Sequence, residues 1–262
     1  MLVEETLFGR VDKVQIAIDR FKEYEPPEGF YLAFSGGKDS VTIKALADMA
    51  GVKYDAHYSL TTVDPPELVH FIKRQHPDVE VVRPLLTMWQ LIPKKLMPPT
   101  RSARYCCAQL KETGGIGRTI ITGVRRAEST KRAKRPIYEA AYRQKNTYML
   151  CPIIDWTEGD VWEFIRTYQI PYCSLYDEGW TRLGCVGCPM AGTKGMTKEF
   201  ERWPTYKRGY LRAFEKMLVM RKKRERQTNT WETPEDVMEW WIGSAGRAGI
   251  SQCDEDQKTL FD

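Results

Sequence analysis

Phe30-Tyr31-Leu32-Ala33-Phe34-Ser35-Gly36-Gly37-Lys38-Asp39-Ser40 is the stretch from which the rest of the chain is read. A short apolar run ends in two hydroxyls, two glycines, a lysine and an aspartate, and a helical pattern follows. This is the layout of a strand entering a helix through a tight loop. Gly36 and Gly37 let the backbone take unusual dihedrals and approach a ligand closely. The unpaired N–H groups and dipole of a helix start attract an anion. Lys38 adds a point charge, and Ser35 and Ser40 add donors. The residues alone imply a phosphate cradle, and the G-x-x-x-x-G-K-[ST] spacing of a Walker A loop is absent.

Length and composition bound the answer. The chain has 262 residues, enough for one large domain or a domain with an appendage, and its 42% hydrophobic residues suffice for a core. The formal charge of +5 suits an anionic ligand without establishing nucleic-acid binding. No apolar run reaches the ~18 residues of a membrane span. Met1–Glu5 lacks the basic and apolar regions of a signal peptide, so a cytoplasmic location is expected. Seven cysteines in a reducing compartment point to metal or redox chemistry rather than disulfides.

Periodicity then orders the elements. An amphipathic helix is expected over 9–23, with Val11, Val14, Ile18 and Phe21 on one face. Strands are expected at Tyr54–Leu60, Val79–Val82, Thr119–Val124 and Tyr148–Ile154, the last interrupted by Pro152 and so an edge or a strand end. Asp64 reads as a helix cap with Glu67 at the capping-box position, and Thr157 with Asp160 as a capping box for a helix through Tyr168. Thr87–Leu96 reads as helical. Strands alternating with helices argue for an α/β fold, a parallel sheet with helices on both faces. In such sheets ligands bind beyond the carboxyl ends of the strands. Residues 170–195 read as a structured loop and 198–226 as a helix whose Arg221–Arg226 end is solvated. Thr233-Pro234-Glu235-Asp236 starts a last helix carrying Trp240 and Trp241.

Cys106 and Cys107 are adjacent, and Cys185 and Cys188 form a Cys-x-x-Cys. Four thiolates suit zinc or an iron–sulfur cluster. From spacing alone, a cluster, a zinc ion and thiols used for packing or redox stand equal. Cys151 and Cys173 sit in apolar surroundings and read as core.

Ser35-Gly36-Gly37-Lys38-Asp39-Ser40 resembles the PP-loop of the adenine-nucleotide alpha-hydrolase superfamily. Cys106-Cys107-Ala108-Gln109-Leu110-Lys111 with Cys185 and Cys188 is similar to the [4Fe-4S] pattern of bacterial adenylyl-sulfate reductases and of the sulfur-incorporation proteins of DNA phosphorothioation. Gly123–Ser129, Pro152–Thr157 with Asp160-Val161-Trp162, and Ile170-Pro171-Tyr172 through Leu175-Tyr176 resemble the phosphoadenylyl-sulfate reductase family. Thr61-Thr62-Val63-Asp64-Pro65-Pro66-Glu67 is similar to its phage and prophage members. The resemblance covers about residues 28–192. It implies a PP-loop domain over 29–195, preceded by a helix and linker over 1–28 and followed by a helical extension and acidic tail over 196–262.

It further implies an adenine nucleotide, ATP or an adenylyl sulfonucleotide, at Ser35, Gly36, Gly37, Lys38, Asp39, Ser40, Thr61, Asp64 and Gly123. Lys38, Arg125 and Arg126 would stabilise charge at the alpha-phosphate, with Asp39 positioning Mg2+. Cys106, Cys107, Cys185 and Cys188 would hold a [4Fe-4S] cluster. ATP would adenylylate an acceptor, in sulfur transfer involving a sulfur donor protein or in nucleic-acid modification. Family reductases attack the sulfonate sulfur with a late cysteine followed by histidine. Here the late cysteine is Cys253, without a following histidine and among acids that disfavour its thiolate. Reduction of the sulfonucleotide to sulfite is therefore the alternative expectation, and a DNA-associated binding module a third. The lysine-rich part of Arg125–Arg135 reads equally as a loop over the nucleotide or a nucleic-acid contact. Gln257-Lys258-Thr259-Leu260-Phe261 resembles the peptide that docks on bacterial sliding clamps.

Overall fold

In chain order the elements are β1 (Val3–Thr6), β2 (Gly9–Asp12), α1 (Lys13–Glu23), β3 (Phe30–Ala33), α2 (Lys38–Ala50), β4 (Tyr54–Ser59) and α3 (Pro66–Gln75). There follow β5 (Glu80–Val82), α4 (Met88–Lys95), α5 (Tyr105–Leu110), β6 (Thr119–Ile121), β7 (Tyr138–Ala140), β8 (Tyr148–Leu150) and α6 (Glu158–Thr167). The chain closes with α7 (Gly192–Arg202), α8 (Pro204–Lys223) and α9 (Pro234–Ala245). This computed structural model describes residues 1–7, 9–130, 132–141, 144–224 and 231–245. They fall into two compact units that alternate along the chain. The first comprises Met1–Ser59, Pro66–Val82 and Gly114–Leu183; the second comprises Leu60–Pro65, Arg83–Thr113 and the chain from Gly184 onward.

The first unit is built on a six-stranded sheet of order β5-β4-β3-β6-β8-β7. All neighbours run parallel except β7, which pairs antiparallel with β8 at one edge. Phe30 and Leu32 of β3, Ile121 of β6 and Leu150 of β8 are fully buried. Helix α2 packs on α1 and α6, and Ile43 and Leu46 join Phe21 and Phe164 in the core. From β3 the chain winds outward through β4 to β5, then returns to start β6 on β3's other side. In such sheets the usual ligand position lies at this reversal, by the loops that follow β3 and β6.

Several expectations change here. Residues 9–12 are strand rather than helix, because β1 and β2 form an antiparallel hairpin. The helix starts at Lys13, where Asp12 Oδ1 accepts the Val14 and Gln15 N–H groups. Strand β8 ends at Leu150, two residues before Pro152, and the sheet edge on that side is β7, a short strand just after the basic segment. Asp64 does not appear as the expected cap: its Oδ2 takes the Thr61 N–H at 2.6 Å, and α3 begins at Pro66. The capping box of Thr157 and Asp160 forms as expected.

The second unit packs α8 against α4 and α9, and α7 against α8 and α9. Tyr210, Phe214, Met217 and Trp241 are buried among them, and Trp241 Nε1 donates to Pro99 O at 2.6 Å. The helix expected over 198–226 is two helices, α7 and α8, broken at Trp203. Pro204 has no N–H to continue a helix and forces the residue before it out of the helical region. The α8 end is less solvated than expected: Arg221 donates to Leu96 O and its guanidinium lies 5.3 Å from the centre of the Trp231 ring.

Candidate functional site

In the first unit, β3 delivers the chain into the loop and α2 leaves it, with Gly37 as N-cap. Gly36 has φ +72, and a Cβ there would lie 2.7 Å from Leu68 Cδ1 and 2.8 Å from Ile72. Both backbone conformation and space therefore demand glycine. The hydroxyls tie the turn: Ser35 Oγ donates to Ser40 Oγ at 3.2 Å, and Ser40 Oγ to Gly37 O at 2.9 Å.

Arg125 enters from the loop after β6. A Cβ on Gly123 would lie 2.8 Å from Asp39 Cβ, so only glycine lets that loop touch the first turn of α2. Arg125 is 3% exposed and its Nε donates to Asp39 at 2.7 Å. Glu128 accepts the Arg125 N–H at 2.8 Å and fixes the turn. Lys38 is 7% exposed, with its Nζ 3.4 Å from Thr181 O and 3.7 Å from both Asp39 and Glu158. Two cations are thus held at the head of α2. Arg126 goes elsewhere: its N–H meets Ile154 O at 2.7 Å and its Nε meets Arg135 O at 3.1 Å. Arg132 pairs with Glu128 and Arg135 with Glu139, so much of the basic run is folded onto its own glutamates.

In the second unit, Thr61 and Asp64 lie with the cysteines. Cys185 Sγ donates to Thr61 Oγ1 at 3.4 Å. Cys106 and Cys107 share α5, and the Cys106 thiol bonds to Cys107. That bond, with Arg104 Nη2 3.2 Å from Cys107 Sγ, makes Cys107 the easier of the pair to ionise, while Cys106 is pushed up by the same bond and by burial. Burial also pushes the Cys185 thiol up. Lys111, a residue the sequence reading did not single out as functional, lies in reach of these groups. The charge of Cys185, and then of Asp64, Cys107 and Cys188, holds its ammonium well above the usual lysine range. Cys151 and Cys173 are buried core residues, 0% and 1% exposed. Cys253, Lys131 and Gln257–Phe261 lie outside the described residues.

The donor set fits a cluster in its chemistry: four thiols electrostatically coupled to one another, with the Lys111 ammonium to balance thiolate charge. Among the described residues no three His, Cys, Asp or Glu side chains are drawn together as a single-ion site. No described helix is long and apolar enough to cross a membrane.

A glycine-rich strand-to-helix turn at the reversal point of a mostly parallel sheet, with buried cations at the helix head, defines a PP-loop α/β domain. The phosphoadenosine phosphosulfate reductase domain family matches residues 29–191, and the chain belongs to it. An adenosine 5'-phosphosulfate reductase of Shouchella clausii is 26% identical over 57% of this chain and 63% of its own length. A protein of Methanocaldococcus jannaschii is 29% identical over 66% of this chain and 44% of the relative. This chain therefore spans about half to two thirds of these relatives. The fold also matches the crystal structure of a phosphoadenylyl-sulfate reductase from Candida auris, with TM-score 0.51 and 16% identity, over 64% of this chain and 87% of that one.

Proposed function

We propose that the chain binds an adenine nucleotide at Ser35–Ser40, with Gly123 and Arg125, and uses ATP to activate an acceptor in sulfur transfer or nucleic-acid modification. The observation that carries this is the pair of buried cations, Lys38 and Arg125, at the head of α2 in a PP-loop family domain. An acceptor nucleophile attacks the alpha-phosphorus, the bond to the bridging oxygen breaks, and pyrophosphate leaves with that electron pair. Lys38 and Arg125 offset the charge that builds there. Arg126, turned toward Arg135 O, would have to leave that bond to share in this, and a bound Mg2+ would supply further positive charge. Asp39 holds Arg125, which leaves it a smaller part in positioning the metal ion than its place in the motif suggests.

Cys106, Cys107, Cys185 and Cys188 would hold a [4Fe-4S] cluster, which when bound supplies sulfur-binding or electron-transfer chemistry. Thr61 and Asp64 serve that centre through Cys185 and Lys111. A sulfur donor protein is the partner that sulfur transfer calls for, and DNA, or a sliding clamp engaged through Gln257–Phe261, is the partner that nucleic-acid modification calls for. Incubation with ATP and separately with adenylyl sulfate or its 3′-phosphorylated form tests it. Pyrophosphate release supports the reading, and sulfite release without it overturns it. Sulfite is the product of the second reading, thiol-dependent reduction with Cys253 as nucleophile, which is favoured by relatives named adenosine 5'-phosphosulfate reductase. Iron and acid-labile sulfide on protein purified without oxygen test the cluster. About four of each per chain is expected, lost in Cys106→Ser or Cys188→Ser.

A further inference from the structure

The Lys38 N–H is the first free donor of α2, the kind of group a phosphate oxygen takes. In this structure the Tyr176 phenol oxygen accepts it at 2.9 Å. The same oxygen would lie 3.4 Å from a Cβ built on Gly37, and Ser35 Oγ would lie 3.5 Å from that point. Two hydroxyls from separate segments therefore flank the space that the missing side chain of Gly37 leaves open. The Tyr176 ring is fixed from outside. Trp162 meets it edge-on at 5.1 Å, and the Lys38 ammonium lies 5.8 Å from its centre.

A phenylalanine would satisfy that ring packing equally well. The hydroxyl accepts one hydrogen bond, and among the described residues its own proton has no acceptor. Burial, first among several causes, pushes the phenol well above its ordinary range, so the proton stays on the oxygen near neutrality. A half-buried hydroxyl whose proton no group of the chain takes is free to donate to an acceptor from outside it.

We infer that Tyr176 is a phosphate ligand: its phenol donates a hydrogen bond to a nucleotide or pyrophosphate oxygen seated over Gly37, while accepting the Lys38 N–H from behind. The inference rests on the nucleotide reading of the loop. The phenol extends the cradle, because it relays the donor character of the helix start outward by one hydroxyl. It also orients the ligand, since the ring cannot turn without leaving Trp162 and Lys38.

Titration calorimetry with pyrophosphate, and with ATP and Mg2+, on the full chain and on Tyr176→Phe tests the assignment. A hydrogen bond to a charged oxygen predicts binding weaker by about tenfold or more. Tyr172→Phe serves as control, because the Tyr172 hydroxyl bonds to Asp177 at 3.0 Å within the same aromatic group. It is expected to keep the affinity of the unaltered chain. Binding by Tyr176→Phe that is unchanged or tighter overturns the assignment, tighter binding meaning that the phenol blocks the N–H. Equal weakening in Tyr172→Phe also overturns it, by tracing the effect to aromatic packing. Failure of the unaltered chain to bind either probe overturns the nucleotide reading and this inference together.

Discussion

At the scale of single residues, the site depends on positions where a side chain is missing. Gly123 brings the loop after β6 onto the first turn of α2, and Arg125 reaches Asp39 because of it. Gly123→Ala sets a methyl 2.8 Å from Asp39 Cβ and 3.0 Å from the Asp39 carbonyl. We expect a loss of about 1–3 kcal/mol in urea unfolding and weaker pyrophosphate binding; an unchanged affinity would show that the close approach is not needed. Asp39→Ala acts differently, by leaving the 3% exposed Arg125 without its carboxylate. The expected destabilisation is about 3–5 kcal/mol, with the unfolding midpoint as readout. The sequence motif singles out Asp39 but assigns it to magnesium. Its bond to Arg125 joins residues 86 positions apart, and no local pattern announces such a pair.

At the scale of elements, the helices α4 and α6 and the parallel strands β4, β5, β6 and β8 were legible, and the strands β1, β2 and β7 were not. Thr157 with Asp160 and Thr87 with Gln90 mark their helix starts through bonds within four residues, so the signal lies in the local sequence. Strand β7 has three residues just past the basic run, too few to show alternation, and β1–β2 exists through pairing across a turn. Asp160 links the hairpin region to α6: Lys13 Nζ lies 3.0 Å from its Oδ2, and the residue is fully buried. Burial opposes its charge, but the Thr157 N–H, the Met1 ammonium and Lys13 outweigh that and hold the carboxyl far below the usual range. A depressed carboxyl contributes stability that is complete above its unfolded pKa of about 4 and is lost as pH falls toward the lower folded value. Asp160→Asn should therefore destabilise the chain at pH 7 and flatten the acid limb of its stability curve below about pH 4. A variant whose stability still falls as steeply there would assign the acid sensitivity to other carboxylates. Thr233→Ala removes the hydroxyl that accepts the Asp236 N–H at 3.2 Å. The expected cost to α9 is about 1 kcal/mol, read as faster amide exchange in its first turn.

At the scale of the whole molecule, the chain passes between the two units at five points along its length, which no periodicity analysis reveals. Residues 60–65 look like a loop between a strand and a helix of one sheet, yet they belong to the unit that holds the cysteines. Trp241 tests how far that unit stands by itself. Its ring is fully buried against Tyr210 and Phe214, and its removal should cost about 3–5 kcal/mol. Amide exchange in Trp241→Ala should rise in α8 and α9 before it rises in β3 and β6. Simultaneous loss everywhere would show that the units unfold as one.

The interleaving also sets an order of synthesis. Cys106 and Cys107 leave the ribosome before Cys185 and Cys188 have been translated, and α7, α8 and α9 come later still. At 5–20 residues per second, the first two thiols spend seconds in the open nascent chain. During that time oxidants and stray metal ions can reach them while their eventual neighbours do not yet exist. Growth conditions during expression therefore bear on whether those sulfurs arrive in the finished protein intact.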